Sequence, residues 1–133
     1  MSAAQAPGSA PCPCGAAARY ADCCGRYHVG PARGHAPTAE ALMRSRYSAY
    51  VLGLGDYLLD TWHASTRPPS VEFEPGLKWL GLEVRHPALQ DPAHASVEFI
   101  ARCKLAGRAQ RLHELSRFVS EGGRWYYVDG DQR

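Results

Sequence analysis

Cys12-Pro13-Cys14-Gly15, followed after a short excursion by Cys23-Cys24-Gly25, places four of the five cysteines of the chain in one N-terminal stretch. A Cys-x-Cys pair sets two sulfurs on one side of a tight turn, and Gly15 permits the left-handed bend that such a turn needs. The excursion over residues 16–22 is long enough to bring the adjacent pair Cys23-Cys24 back to the same point. Four thiolates suffice to close a tetrahedral zinc site, each losing its proton as the metal binds. The segment has almost no apolar residues, so ligation is expected to supply most of its folding energy, roughly 10 kcal/mol or more in small zinc modules. A zinc–tetrathiolate unit carries a formal charge of −2, and Arg19, Arg26 and His28 are the nearby groups suited to offset it.

Outward from this cluster the chain divides by composition. Beyond Met1, residues 1–11 are Ala, Pro, Gly, Ser and Gln, with nothing to bury, and read as a disordered leader. Residues 12–28 form the zinc knuckle, residues 29–37 have the Gly/Pro punctuation of a linker, and residues 38–133 read as one domain. The whole chain has 133 residues, 45% hydrophobic and 21% charged, enough for one packed core with a small appended module. No run approaches the roughly 18 apolar residues of a membrane span. The first eight residues lack a basic start and an apolar stretch, so no ordinary secretory signal is expected and the cytoplasm is the expected compartment. Five cysteines in such a chain point to metal or redox chemistry rather than to a disulfide scaffold. Net charge is +2, and the excess falls within residues 1–37, too small to force a nucleic-acid reading by itself.

The main domain opens with helix signals. Thr38 is placed to cap a helix whose apolar positions Leu42, Met43, Tyr47, Tyr50, Val51 and Leu54 recur at three- and four-residue steps. Gly53 and Gly55 break it, Asp56 is placed to cap a second helix through Trp62, and Arg67-Pro68-Pro69-Ser70 ends helical structure. Strands follow: residues 79–84, a loop from Pro87 to Pro92, residues 96–105, residues 110–120 and residues 124–129, with turns at Ala106-Gly107-Arg108 and Glu121-Gly122-Gly123. Helices first and an antiparallel meander afterwards predict an α+β fold, with the helices packed on one face of a curved sheet.

These residues also resemble known patterns. Cys-Pro-Cys-Gly…Tyr…Cys-Cys-Gly is similar to the SEC-C zinc motif, best known from the tail of the SecA translocation ATPase. The stretch from Ala41 to Tyr50, then Tyr57-Leu58, Thr61-Trp62-His63, the run from Leu112 to Phe118, and Trp125 to Gly130 complete a resemblance to the small bacterial YchJ family, also called UPF0225. That resemblance implies Cys12, Cys14, Cys23 and Cys24 as metal ligands, and a cone-shaped, cystatin-like main domain of the nuclear-transport-factor-two superfamily. One departure stands out: Ala16-Ala17-Ala18-Arg19 replaces the Ser-Gly and lysines usual after the second cysteine, which weakens any inference of strong binding to acidic surfaces. The family supplies no activity.

A cone-shaped fold leaves a pocket between sheet and helices. A functional reading gathers Arg46, Tyr50, Trp62, His63 and Glu114 (or His113) there as acid/base and anion-binding groups, which is the enzyme alternative. The structural reading pairs Arg46 with Glu114 and uses Trp62 and Trp125 as core. Cys103, at strand spacing among apolar residues, reads as a buried hydrophobe. Trp125, Tyr126 and Tyr127 offer rings on which nucleobases could stack. The preferred expectation is a non-catalytic interaction protein whose knuckle presents Arg19, Tyr20, Arg26 and Tyr27 to a macromolecule: a protein, the ribosome or, with a steep salt response, nucleic acid. A third reading is a thiol redox sensor in which oxidation ejects zinc.

Overall fold

The computed structural model describes residues 8–133; the first seven residues of the expected leader lie outside the described residues. A single 3-10 turn, Tyr20–Asp22, and a short helix α1, Gly25–His28, lead into helix α2, Ala39–Leu52, and helix α3, Gly55–Asp60. Four strands follow: β1 Lys78–Asp91, β2 His94–Leu105, β3 Arg108–Glu121 and β4 Arg124–Gln132. They form one antiparallel meander in the order β1-β2-β3-β4, the expected α+β arrangement.

Local chemistry explains the helices. The Thr38 side chain accepts a hydrogen bond from the Ala41 amide at 3.0 Å, which satisfies one of the free donors at the start of α2. The helix ends at Gly53. Helix α3 begins one residue earlier than its expected cap: Asp56 lies inside its first turn rather than before it, where its charge suits the positive end of the helix. Trp62 falls beyond α3 and instead forms a parallel bridge with Tyr127 of β4, with the Tyr127 amide donating to Thr61 O at 2.8 Å.

The strands alternate as their sequence implies. Ala95, Val97, Phe99, Ala101 and Cys103 of β2 are buried, and the register sets Phe99 against Glu114 and Ala101 against Leu112 on the same inner face. Beta-strand β1 runs further than the sequence predicts. It continues through Pro87, where a loop was expected, by way of a register shift between Arg85 and Ala88 and a left-handed His86. Strand β1 lies at the sheet edge, and an edge strand tolerates a residue with no N–H to donate.

The N-terminal pieces are built into this domain rather than hung from it. Within the expected leader, Ala10 O accepts from the Tyr20 amide at 2.8 Å, and Gly8 O accepts from the Ala21 amide at 3.1 Å. Residues 8–11 are therefore paired through their backbone, a tie that side-chain composition does not reveal. The expected linker is also fixed. The Gly34 amide donates to Tyr27 O at 2.9 Å, Arg124 Nε donates to Gly34 O at 2.8 Å, and Ala36 is buried. Cys12, Cys14, Cys24 and Tyr27 share one buried cluster with Leu42, Tyr47, Val97 and Phe118. Beside any ligation, therefore, α2 lends the knuckle a hydrophobic floor that its own composition does not supply.

Gly34 has φ +75°, and a Cβ there would collide with the Arg124 guanidinium. Gly34→Ala is expected to destabilise the protein by about 1–2 kcal/mol. The check is the denaturant midpoint at unchanged slope, with the shift lost if the segment is a loose tether.

Candidate metal centre and the cone cavity

The cysteine turn closes on itself before it meets the domain. The Cys12 amide donates to Ala18 O at 2.9 Å and the Gly15 amide to Cys12 O at 3.2 Å, with Gly15 at φ +78°. The 3-10 turn then delivers Cys23, whose amide donates to Tyr20 O, and Cys24 starts α1. The sulfurs of Cys12, Cys14, Cys23 and Cys24 all lie within 4.8 Å of one another, and those of Cys14 and Cys23 are 3.6 Å apart. A tetrahedron with zinc–sulfur bonds of about 2.3 Å places its sulfurs about 3.8 Å apart, so the donor set fits one such ion. Cys12, Cys14 and Cys24 are buried.

As bare thiols these groups compete for charge. Hydrogen bonds from Cys14 and then Cys24 drive the Cys12 pKa far below the ordinary thiol range. Burial, then the bond and charge of Cys14, push Cys23 up to about 11. Bonds with Cys12 and Cys14, then burial, hold Cys24 well above its ordinary value. One negative charge suppresses the next, and a cation among the sulfurs relieves that conflict. Four cysteines so arranged could hold one metal ion.

Helix α2 supplies the surroundings that spacing did not reveal. Ser48 Oγ lies 3.7 Å from Cys12 Sγ, and Arg44 Nη1 donates to Cys14 O at 3.0 Å. They stand one turn apart on one face of α2, which was the available signal. The groups expected to offset the sulfur charge are otherwise engaged. Arg19 pairs with Asp22 at 2.6 Å, and Arg26 Nε donates to Cys23 O. His28 is buried; Nε2 donates to Ser45 O at 2.8 Å, which leaves Nδ1 to accept from Tyr20 Oη at 2.6 Å. Burial holds the His28 pKa below the ordinary imidazole value, so it is neutral. Two candidate partner residues are consumed in the same way. Tyr27 is 8% exposed and packs in the core, and Tyr20 is tied to His28; Arg19 and Arg26 remain on the surface.

A second feature lies on the opposite side of α2. A cavity of about 250 Å³ is lined by Arg46, Tyr50, Trp62 and Glu114 among other residues. His63 is not part of it: Nε2 meets Glu121 at 2.9 Å and Nδ1 meets Ser65 at 2.7 Å. His113 faces outward and meets Glu98 at 2.6 Å. Nor do Arg46 and Glu114 pair directly. The Arg46 guanidinium stacks between the Trp62 and Tyr127 rings, 4.9 and 4.6 Å from their centroids, and Nη1 donates to Thr61 Oγ1 and Leu58 O. Burial lowers its pKa to about 10, which leaves it charged at neutral pH. Glu114 accepts from Ser116 Oγ and Tyr127 Oη, so Tyr127 stands between the two charges. Tyr127 is thereby withdrawn from any surface ring stack, and Tyr126 packs against His63 and Arg124. Cys103 is a buried free thiol, 7% exposed.

A cysteine turn docked on the helix of a curved α+β cone defines a class of small two-part proteins. A family model described as "YchJ, middle NTF2-like domain" matches residues 38–130, and a SEC-C motif model matches residues 9–26. The chain belongs to the UPF0225, or YchJ, family. It is 61% identical to a UPF0225 protein of Cupriavidus metallidurans over 95% of this chain and 92% of that protein. It is also 61% identical to one of Bordetella parapertussis, covering 93% and 94%. A solution structure of a SEC-C motif containing protein from Rhodopseudomonas palustris matches with TM-score 0.78 and 36% identity, over 90% of this chain and 96% of that one. A crystal structure of another from Psychrobacter arcticus matches at TM-score 0.77 and 32% identity, over 92% and 82%.

Cys24→Ser is expected to abolish stoichiometric metal binding and to collapse amide dispersion in residues 8–34 while β2 and β3 persist. Metal analysis with an amide correlation spectrum checks both. Because His28 is neutral when folded, its unfolded form takes up a proton below about pH 6.5 that the folded form refuses. Stability therefore falls as pH drops below that value. The slope should be up to about 1.4 kcal/mol per pH unit steeper than in His28→Gln, with equal slopes counting against it.

Proposed function

We propose that the protein is a zinc-binding, non-catalytic interaction protein of the cytoplasm whose knuckle rim engages a protein or ribosomal partner. The supporting observation is the inward turn of all four sulfurs, with Cys12, Cys14 and Cys24 buried, while Arg19 and Arg26 stay exposed on the same small surface. All-sulfur ligation closes the coordination shell, the mark of a structural rather than a catalytic zinc site. Val29, 66% exposed beside α1, adds an apolar contact to that rim. The interaction reading is preferred over the enzyme alternative because His63 lies outside the cavity that Arg46, Tyr50, Trp62 and Glu114 line, bonded instead to Glu121 and Ser65.

The ion organises the face, and the arginines make the contact, so the two roles separate by mutation. Arg19→Ala with Arg26→Ala is expected to keep one zinc per chain and to lose at least tenfold in affinity for the partner recovered with wild-type protein, consistent with about 1.4 kcal/mol per tenfold step. Sedimentation with ribosomes and titration with a single-stranded polyribonucleotide at two salt concentrations assign the partner class. Unchanged capture by the double-arginine variant would sink the reading.

A further inference from the structure

We infer that the outer face of the sheet, at the end of the β2–β3 hairpin, docks double-stranded nucleic acid through its phosphate backbone. The surface contains none of the knuckle's residues, so the inference goes beyond the interaction role. Alternation turns Ala95, Val97, Phe99, Ala101 and Cys103 of β2 toward the core, which points Arg102 and Lys104 outward, away from α2. The register sets Lys104 opposite Lys78 of β1 and Arg102 opposite Arg111 of β3. All four are exposed. With strands about 4.8 Å apart and alternate residues about 7 Å apart, four cations share a patch of roughly 10 Å by 7 Å.

The pairing of charges sets this end of the face apart. Like charges directly opposite across a ladder are destabilising, and here two such pairs stand side by side. Farther along the same face the charges are mated: His113 meets Glu98 at 2.6 Å, and Arg117 meets Asp129 at 2.6 Å and Asp131 at 2.8 Å. At the hairpin end, Glu83 is taken by Arg85 at 2.5 Å and stands 3.8 Å from Arg102. Lys78, Lys104 and Arg111 form no ion pair among the described residues. An external anion would relieve the repulsion that the fold leaves in place.

The remaining chemistry of the patch selects the anion. A protein partner calls for an apolar or aromatic centre, and of the exposed large hydrophobic residues Leu80 alone lies on the strands at this end. A single strand of nucleic acid is held by rings on which its bases stack, whereas Trp79 and Phe99, the rings of β1 and β2 here, line the cone cavity. A duplex keeps its bases paired and presents its backbone, with about one negative charge per 1.7 Å of axis. Arginine forks and lysine ammonium groups meet phosphates without reading sequence, and such interfaces are polar and strongly positive, as this patch is.

The test uses the full zinc-loaded chain and fluorescence anisotropy with short DNA duplexes of unrelated sequence, polyuridylate and polyglutamate, between about 50 and 200 mM salt. The duplexes are expected to bind alike and about fivefold or more tighter than either single-chain polyanion. Their affinity should fall with salt at a log–log slope of about −3.5, the value for four phosphate contacts. Lys104→Glu gives Lys78 a mate, so the thermal midpoint should hold or rise while duplex affinity falls about tenfold or more. Arg111→Gln should weaken binding and reduce the slope by about one. Arg117→Gln removes the same charge from a mated group on the same face and should change affinity by less than about twofold. The inference is overturned by no saturable duplex binding at submillimolar concentration, or by polyuridylate or polyglutamate binding as tightly. Undiminished binding by Lys104→Glu, or equal losses in Arg117→Gln and Arg111→Gln, would overturn it as well.

Discussion

Helix α2 is buried on two sides, and both halves of the molecule depend on that. Toward the cysteine turn it presents Ser45 and Ser48, with Arg44 beside them; toward the cone it presents Met43, Arg46, Tyr47 and Tyr50. Ser45, Ser48 and Ala49 are fully buried and small, which lets the knuckle settle close to the helix backbone. Their polar atoms are all used. The Ser45 hydroxyl bonds Leu42 O and Tyr57 Oη, the Ser45 carbonyl accepts from His28, and Ser48 meets Cys12. A serine replaced by a larger apolar residue here would lift the sulfurs away from their support, so local volume and hydrogen bonding together set where the four sulfurs stand.

The same double burial explains what the sequence made visible. Spacing alone revealed the four cysteines, because ligand chemistry demands particular residues at short separations. Period-two alternation revealed β2 and β3, whose buried and exposed residues take opposite faces. The start of α2 was visible in Thr38, because capping is a contact across three residues. Hidden from inspection were the contacts that span the chain. Gly34 looks like linker until Arg124, ninety residues later, donates to its carbonyl. Pro87 looks like a loop until β1 is known to be an edge. Tyr20 and Tyr27 look like exposed aromatics on a charged knuckle, yet the half-buried Tyr20 bonds His28 of α1 and Tyr27 packs on the apolar floor that α2 provides. His63 follows Trp62 directly, yet only the tryptophan reaches the cone.

The polar residues of the cone make a further distinction. Arg46 is charged, buried and fully occupied, with Thr61, Leu58 and two aromatic faces around it. A buried charge held this way commonly costs as much in lost hydration as its contacts return, so stability alone is a weak reason for it. What it does is fix geometry. Its bonds reach Leu58 of α3 and Thr61, its stacking holds Trp62 and Tyr127 face to guanidinium, and those two residues form the bridge between the helical layer and β4. Removal of the guanidinium would therefore loosen the wall and the roof of the cavity at once. The cone is thus organised around two charges held apart by Tyr127, and the same residue, with Trp62, ties the helical layer to β4.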